Sequence, residues 1–258
     1  MESATRLHQC IAESRTAAGM FMALNSPAVA ELIAAGADLD FFGADLQHAP
    51  VSADDSASLL RSVQAVNPEI TPLVRLPDHS VYWIQQSLDI GYMGLVVPLV
   101  ESAAQARELV RAAYFPPEGD RSFAGSVRRH LYGDEPDRAN ERTILLPQIE
   151  SEKGLENAEE IIAVEGVSGV LFGPEDLSLS CGWRGQDLWS YPPFLEAAKR
   201  VVELCRQYNK IPAILTGAFE EARDTGFQVI GLGGDIAMVR VDLVALINER
   251  VNRLRRIP

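Results

Sequence analysis

Cysteine is scarce in this sequence of 258 residues, which contains three: Cys10, Cys181 and Cys205. They lie far apart, and none belongs to a CxxC pair or to a cluster with histidine. This spacing argues against a disulfide framework and against a zinc site. We therefore expect reduced thiols, as is usual in the cytoplasm.

Long apolar runs are also missing. No stretch approaches the roughly 20 apolar residues that span a bilayer. The chain begins MESATRLHQCIAESR, a polar stretch of mixed charge without the apolar segment of a signal peptide. We expect a cytoplasmic protein that does not cross a membrane.

Positive charge is the third deficit. Lysine and arginine total 23 against 36 aspartates and glutamates, which gives a formal net charge of −13. Such a surface repels phosphate backbones and anionic lipids, so nucleic acids and membranes are not expected partners. Lysine is rare and absent from the predicted strands, which argues against a Schiff-base enzyme and favours metal chemistry.

What the sequence does contain is a regular alternation of short apolar runs and amphipathic stretches. The runs predict eight strands that begin near positions 18, 39, 72, 94, 143, 169, 212 and 228. The amphipathic stretches predict helices over 28–35, 56–65, 82–90, 103–114, 154–164, 194–208, 219–224 and 236–254. This order predicts one α/β domain over residues 1–258, a (β/α)8 TIM barrel; an open doubly wound sheet is the alternative.

One interval is too long for a simple connection. Residues 115–142 are rich in proline, glycine, arginine and aspartate. Loops of this length in compact domains are usually functional or partly disordered. Because the segment precedes the fifth strand, we expect it to cross the barrel as a lid or substrate loop.

Two acidic residues follow neighbouring predicted strands. Glu150 follows the run TILLPQI, Asp176 follows GVLFGPE, and a predicted helix lies between the two runs. A strand–helix–strand unit brings both carboxylates to the carboxyl edge of one sheet, where barrels have their active sites. Paired oxygen ligands suit a hard divalent cation such as Mg²⁺ or Mn²⁺, although either acid alone would also suit a helix cap.

Further polar residues fall at the same predicted edge. His48 follows the second strand, Arg75 ends the third, and Gln148 precedes Glu150 in the fifth. A cation there would polarise a carbonyl oxygen, Arg75 would stabilise an enolate, and His48 would act as the base. These residues predict the deprotonation of a carbon beside a carbonyl. The other histidines, His79 among them, are expected at the surface.

The glycine-rich stretch GLGGD at the end of the eighth run has two interpretations. It resembles a phosphate-binding turn at a position where barrels often bind phosphate. It lacks the GxGxxG spacing and the lysine of a P-loop, however. The alternative is a tight strand–helix turn that uses the conformational freedom of glycine.

Five segments together resemble the HpcH/HpaI aldolase family. They read AGADLDFFGADLQHAP, PLVRLPD, LDIGYMGLVVPLVESAAQARELVRAAYFPPEGDR, LLPQIESEKGLENAEEIIAVEGVSGVLFGPEDLS and VIGLGGDIAMVR. The QIE and GPEDLS segments carry the most specific part of the resemblance. It implies a class II aldolase, a metal-dependent lyase that acts on 4-hydroxy-2-oxo acids or 2-keto-3-deoxy sugar acids through a pyruvate enolate. It also implies Mg²⁺ or Mn²⁺, with Co²⁺ as a further candidate.

The resemblance implies roles for individual residues. Glu150 and Asp176 match the metal ligands, and Arg75 matches the arginine that stabilises the enolate. His48 matches the general base, with Asp45 as its nearby carboxylate. The implied substrate contacts are Gln148, Gly173, Glu175, Asp176 and, within the long interval, Ser126.

The resemblance also implies an assembly. In the family that this chain resembles, two barrels exchange their last helices to form a dimer, and the dimers build hexamers. Residues 236–255 would be that helix here. Asp89 matches an aspartate that reaches the histidine of a neighbouring subunit and raises its basicity. We therefore expect a homo-oligomer, from dimer to homohexamer.

The chain departs from the family near the expected base. Where the family usually has Asp-Gly-Glu-His, this chain has Leu46 and Gln47 between Asp45 and His48. Glu175 replaces the usual small residue before the metal aspartate. These departures predict an intact metal and pyruvate side and an altered side for the second substrate.

Three functions stay open. The first is a pyruvate-dependent aldolase that joins an oxo acid and an aldehyde. The second is a carbon–carbon bond-forming synthase on the same scaffold, such as a siderophore-type citrate synthase that uses oxaloacetate and acetyl-CoA. The third is a non-catalytic barrel that binds a ligand, which the complete set of candidate site residues disfavours.

Overall fold

Eight parallel strands form the centre of the molecule in the computed structural model, which describes residues 5–123 and 135–255. The strands are β1 (Ala17–Met22), β2 (Phe41–Asp45), β3 (Thr71–Arg75), β4 (Gly94–Val97), β5 (Ile144–Ile149), β6 (Gly169–Phe172), β7 (Ile211–Leu215) and β8 (Val229–Gly234). Each strand pairs with the next, and β8 pairs with β1, which closes the barrel. The predicted (β/α)8 barrel is confirmed, and the open sheet is wrong.

Helices alternate with these strands along the chain. The described helices are α1 (Arg6–Ala12), α2 (Pro27–Gly36), α3 (Ala53–Val66), α4 (Val81–Ile90), α5 (Ala103–Ala113), α6 (Pro136–Arg142), α7 (Glu152–Glu156), α8 (Ala158–Ile162), α9 (Pro174–Ser180), α10 (Pro192–Gln207), α11 (Phe219–Thr225), α12 (Asp235–Met238) and α13 (Val244–Arg255). A 3₁₀ turn over Leu188–Ser190 precedes α10, and a π-helical segment over Val239–Leu243 joins α12 to α13.

Apolar side chains pack on both sides of the barrel wall. One buried cluster contains Phe21, Phe41 and Leu73, and it fills the inside of the barrel. A second, larger cluster contains Phe42 and Val74 and packs the strands against the helices. Because successive strand residues point to opposite faces, each strand contributes to both clusters. This two-sided burial explains why the strands read as nearly continuous apolar runs.

Serine residues begin several of the helices that follow strands. Ser26, Ser52, Ser80, Ser102 and Ser151 are N-caps, and each hydroxyl accepts a hydrogen bond from a backbone N–H in the first turn. Such caps typically stabilise a helix by about 1 kcal/mol relative to alanine. They also end the strand–helix loops at fixed points, so the residues between strand and cap are held at the carboxyl edge.

Several predicted elements need correction. The helix predicted over 154–164 is two short helices that meet at Asn157, whose side-chain Nδ2 donates to the Glu101 carbonyl. The strand-like run around Asp176 ends earlier than expected, because Pro174 begins α9 and Asp176 lies in its first turn. Helix α1 was not predicted; its Leu7 N–H donates to the Thr71 hydroxyl, which ties it to the start of β3.

The interval over 115–142 is also partly helical. Its last seven residues form α6 (Pro136–Arg142), which ends just before β5 begins. At the other end, the hydroxyl of Tyr114 donates to the carbonyl oxygen of Gly166, which precedes β6. Both described ends therefore lie at the amino ends of the strands, opposite the carboxyl edge. The expected crossing lies outside the described residues, as does Ser126.

The chain is helical over most of the predicted last helix. Asp235 is buried and anchors its start, because the carboxylate accepts hydrogen bonds from the N–H groups of Ala23 and Leu24 at 2.8 and 2.9 Å. Apolar side chains are exposed along it: Ile236, Val239, Val241, Leu243, Val244, Leu246 and Ile247. Its exchange between subunits stays a prediction. No helix in the described part of the chain is long and apolar enough to cross a bilayer.

Candidate active site

A cavity of about 320 Å³ opens at the carboxyl edge of the barrel. Its lining comes from the ends of β2, β3, β5, β6, β7 and β8 and from the loops that follow them. The lining residues are His48, Arg75, Gln148, Glu150, Leu171, Gly173, Pro174, Glu175, Asp176, Leu215, Thr216, Gly217 and Gly233. The structure thus brings together most of the residues that the sequence predicts for the site.

Glu150 is the most enclosed acid of the cavity, with 2% of its surface exposed. Its Oε1 accepts a hydrogen bond of 2.8 Å from the backbone N–H of Leu99, and its Oε2 accepts one from the Gln148 amide. Burial and, to a smaller extent, the nearby carboxylate of Asp176 together raise the pKa of this carboxyl to about 7, while the Leu99 N–H opposes the shift. The two acids are therefore close enough to repel each other and to share a cation.

Gly173 and Gln148 fit tightly against this acid. A Cβ atom added to Gly173 would lie 2.7 Å from the Glu150 Cβ and 3.0 Å from the Gln148 Nε2. Only glycine fits at that distance, since real side chains do not approach so closely. The buried Oε1 of Gln148 has no hydrogen-bond partner within the described residues. It is an acceptor available to a ligand or to water in the cavity.

Arg75 and Asp45 form a two-bond ion pair between neighbouring strands. The Arg75 Nε donates to Asp45 Oδ1 at 3.0 Å, and the Arg75 Nη2 donates to Asp45 Oδ2 at 2.5 Å. The strand register places the two residues opposite each other. Burial would raise the pKa of Asp45, but the hydrogen bonds and charge of Arg75 outweigh it and lower the pKa below its usual value. Asp45 therefore stays ionised and fixes the guanidinium at the cavity.

His48 lies in the cavity wall with its ring exposed to solvent. The resemblance implied that Asp45 stands beside this imidazole. In the structure Asp45 Oδ1 accepts from the backbone N–H of His48 at 3.3 Å and from that of Gln47 at 3.0 Å, and its side chain faces Arg75, so its role toward the imidazole stays a prediction. Asp45 therefore shapes the turn that carries His48.

The three departures from the family, Leu46, Gln47 and Glu175, occupy different places. Leu46 is 7% exposed and packs in the cluster between strands and helices, so it does not line the cavity. Gln47 has a buried Oε1 without a hydrogen-bond partner in the described residues. Glu175, the third departure, is exposed at the cavity mouth, where it adds a negative charge beside Asp176.

Asp45 and Asp89 are predicted site residues that do not line the cavity. Asp89 lies near the end of α4, before β4 begins, and pairs with Arg121 at 2.6 Å. This position is at the opposite end of the barrel, so contact with a histidine of another subunit stays a prediction. Ser126 lies outside the described residues. The GLGGD stretch forms the end of β8, and Gly233 has a φ of +98°, which supports the turn interpretation.

Sequence reasoning missed two residues that contact the Pro98–Leu99 peptide group beside Glu150 or belong to it. Leu99 was not singled out, although its N–H is the backbone donor to that acid. His79 was expected at the surface, but it is half-buried and its ring Nε2 lies at hydrogen-bond distance from the Pro98 carbonyl. Leu99 has a left-handed backbone conformation, with a φ of +52°. The residue types of Pro98 and Leu99 do not predict this conformation.

Comparison with known proteins decides the family. The model of the family described as HpcH/HpaI aldolase/citrate lyase matches residues 17–241. The chain belongs to this family.

Individual relatives of this HpcH/HpaI family member agree. It is 40% identical over 230 residues to a hydroxypyruvate/pyruvate aldolase of Delftia acidovorans, which covers 86% of this chain and 83% of that protein. It is 34% identical over 233 residues to a 4-hydroxy-2-oxo-heptane-1,7-dioate aldolase of Shigella boydii, covering 88% and 85%. A crystal structure of a family protein from Burkholderia cenocepacia aligns with a TM-score of 0.88 at 28% identity, covering 98% and 100% of the two chains. The predicted family and the prediction of an aldolase, an aldehyde-lyase enzyme, are confirmed.

The donor set of this family member suits a divalent cation. Glu150 and Asp176 supply adjacent carboxylates, and their mutual repulsion is the kind that a bound cation relieves. All the donors are oxygen atoms, as Mg²⁺ and Mn²⁺ prefer, and Mg²⁺ sites often use one or two carboxylates completed by water and substrate. Within the described residues no three histidine, cysteine or acidic side chains are grouped to hold a metal ion, so this cavity offers two protein carboxylates.

Proposed function

We propose that this aldolase forms or cleaves the carbon–carbon bond of a 4-hydroxy-2-oxo acid, with pyruvate or a close analogue as the enolate component. The observation that carries the proposal is the convergence of Glu150, Asp176, Arg75 and His48 on one cavity. The names of the relatives, which include pyruvate and 4-hydroxy-2-oxo acid aldolases, support the same substrate class.

Glu150 and Asp176 are proposed to hold the divalent cation, Mg²⁺ or Mn²⁺ with Co²⁺ as a further candidate. Such a cation, when bound, acts as a Lewis acid on the 2-oxo and carboxylate oxygens of the substrate. Gln148 and the backbone at Gly173 line the same pocket and are proposed to orient those oxygens. The negative net charge of the chain makes such local anion-binding groups necessary.

Arg75 and His48 are proposed to handle charge and protons. In the cleavage direction, His48 removes the proton of the C4 hydroxyl, the C3–C4 bond breaks, and an aldehyde leaves. The electron pair stays on the three-carbon fragment as an enolate, which is then protonated at C3 to give pyruvate. The Arg75 guanidinium, held by Asp45, is placed to stabilise the negative oxygen of that enolate.

Proton exchange at the pyruvate methyl group tests this proposal without a second substrate. With Mn²⁺ or Mg²⁺ in D₂O, NMR should show loss of the methyl proton signal, and EDTA should abolish the loss. The variant Glu150→Gln should bind Mn²⁺ weakly and lose the exchange. Glu152→Gln, an exposed acid two residues away, is the matched control and should exchange like the unmodified protein.

The synthase is distinguished in the same set of measurements. Suppose that citrate forms from oxaloacetate and acetyl-CoA and that the pyruvate methyl group does not exchange. This result would contradict the aldolase proposal and support the synthase. The absence of both reactions, with metal present, would favour a barrel that only binds a ligand. Metal-independent exchange would contradict the role of Glu150 and Asp176.

The assembly and location are part of the proposal. We propose that the exposed apolar side chains between Ile236 and Ile247 pack against a second copy of the chain, in a dimer or a hexamer. We also propose a cytoplasmic location, which the three free cysteines support.

A further inference from the structure

One peptide group lies between a histidine ring and the acid proposed to bind the metal. The His79 Nε2 lies at hydrogen-bond distance from the Pro98 carbonyl oxygen. The Leu99 N–H donates to Glu150 Oε1 at 2.8 Å. The Pro98 carbonyl and the Leu99 N–H belong to the same planar peptide group. The ring, the peptide and the carboxylate therefore form one continuous hydrogen-bonded chain.

The direction of this chain follows from the chemistry of its members. A carbonyl oxygen only accepts hydrogen bonds, so the Nε2 of His79 carries the proton that it shares with Pro98. A donor at the carbonyl oxygen draws electron density along the peptide and makes its N–H a better donor, because linked hydrogen bonds polarise one another. The ring thereby strengthens the contact between Leu99 and Glu150.

The backbone at Leu99 is consistent with such a role. Leu99 has a φ of +52°, a left-handed conformation that a bulky residue rarely adopts. Its side chain is 51% exposed, so burial of the leucine does not explain the conformation. The conformation does aim the N–H at the Glu150 carboxylate. Backbone strain of this kind concentrates at functional sites.

His79 itself is fixed on the other side of the peptide. It follows β3 and precedes the N-cap Ser80, whose N–H donates to Asp78 Oδ1 at 2.7 Å. The ring does not line the active-site cavity; it borders a surface groove beside Val81 and Gln85. His79 therefore reaches the site through the peptide and makes no contact with the substrate cavity.

We propose that His79 is a positioning residue that fixes and polarises the Pro98–Leu99 peptide, and so strengthens the hold of Glu150 on its divalent cation. This inference rests on the proposed metal role of Glu150. Partners one step beyond the ligands commonly change metal affinity by about 10- to 100-fold. Because His79 acts through a peptide, we expect an effect of about three- to tenfold.

The test compares His79→Leu, which removes the donor, with His79→Gln, which keeps an N–H donor of similar reach. The matched control is His8→Leu, because His8 also contacts a backbone carbonyl, that of Arg142 at 3.1 Å, far from Glu150. Calorimetry with Mn²⁺ gives the dissociation constant. NMR of the metal-free protein labelled with ¹⁵N-leucine gives the Leu99 amide proton shift, assigned by its loss in Leu99→Met.

We expect His79→Leu to raise the Mn²⁺ dissociation constant about three- to tenfold and to move the Leu99 amide proton upfield. His79→Gln should recover most of both values, and His8→Leu should change neither. An unchanged amide shift and an unchanged affinity in His79→Leu would overturn the inference. If His79→Leu does not fold, His79→Ser, which is too short to reach the carbonyl, replaces it with the same expectations.

The outcomes also separate this inference from the proposed function. If the unmodified protein binds no Mn²⁺, the metal role of Glu150 fails, whatever the amide shift shows. If it binds Mn²⁺ and Glu150→Gln abolishes binding, the proposed function stands. An equal affinity in His79→Leu would then contradict the His79 inference alone.

Discussion

The two sides of the active-site cavity are held in different ways. On the β5 and β6 side, Glu150 accepts hydrogen bonds from the Leu99 N–H and the Gln148 amide. Gly173 packs so closely against Glu150 that no side chain fits between them. On the β2 side, the ring of His48 is exposed and makes no hydrogen bond to any described residue. The buried Oε1 of Gln47 likewise has no partner there.

The two sides are therefore organised to different degrees before a ligand binds. Glu150, the acid proposed to hold a cation, is positioned by short contacts within the barrel, so this side is organised before any ligand binds. On the β2 side, the ion pair between Arg75 and Asp45 is the one contact in the described part of the chain that fixes a charged side chain at the cavity. We therefore expect the second substrate to be selected on the β2 side, which the described residues leave less constrained.

The largest expected effect comes from breaking that one firm contact. Asp45→Asn removes the charge that compensates the Arg75 guanidinium, whose side chain is 13% exposed. Leaving a buried charge without its partner destabilises a protein by about 3 kcal/mol. Urea unfolding at pH 7 should show a loss of this size. Asp38→Asn, which breaks an ion pair of Arg6 with a carboxylate that is 95% exposed, should cost under about 1 kcal/mol.

The stability that Asp45 contributes should also depend on pH. The pKa of Asp45 is lower in the folded protein than in the unfolded chain, where it is near 3.9. Its stabilising contribution is therefore complete above about pH 4 and is lost as the pH falls through the lower, folded value. The difference in unfolding free energy between the unmodified protein and Asp45→Asn should shrink over that acidic range. A difference that grows on acidification would contradict the ion-pair explanation.

The metal side is tested by filling the space at Gly173. In Gly173→Ala the new methyl would meet the Glu150 Cβ at 2.7 Å, so the acid must move. Displacements of this order at a catalytic site cost about 100-fold in rate. We expect kcat/KM to fall by about that factor, with weaker Mn²⁺ binding. Gly217→Ala is the control at the same edge, since no atom lies within 4 Å of its added Cβ, and it should change both values far less.

The barrel was predictable because its signal is local and repeated. Eight apolar runs alternate with amphipathic stretches, and burial on both faces of each strand leaves few interpretations other than parallel strands. The pairing of Glu150 with Asp176 was predictable for the same reason, since strand–helix–strand units align strand ends. The short helix that begins at Pro174 was missed because its first turn reads as a continuation of the strand.

Side-chain partners were less predictable than positions. The ion pair of Asp45 with Arg75 was not predicted, because it depends on the register of two strands that are distant in the sequence. The turn after β2 directs further contacts of the same carboxylate to backbone N–H groups. Leu99 and His79 were missed because a backbone N–H and a left-handed φ leave no mark in residue type. Leu46 was expected near the base, yet the alternation of strand residues continues through it and directs it into the core.

The smallest expected effects come from two glutamines that each carry a buried Oε1 without a described partner. Gln148 also donates to Glu150, whereas Gln47 does not line the cavity. Gln148→Met should lower the unfolding free energy by about 1 kcal/mol and kcat/KM by about tenfold, because a hydrogen bond to the metal acid is lost. Gln47→Met replaces an unsatisfied polar group by an apolar one, which is nearly neutral.

Measured side by side, these two variants decide whether the two sides of the cavity differ as described. Urea unfolding and kcat/KM for the oxo acid should separate them, with Gln47→Met within about 0.5 kcal/mol of the unmodified protein. A loss of stability in Gln47→Met equal to that in Gln148→Met would show that Gln47 has a partner. The β2 side would then be as firmly organised as the side of Glu150. Side chains that are already fixed in the barrel would then determine the second substrate.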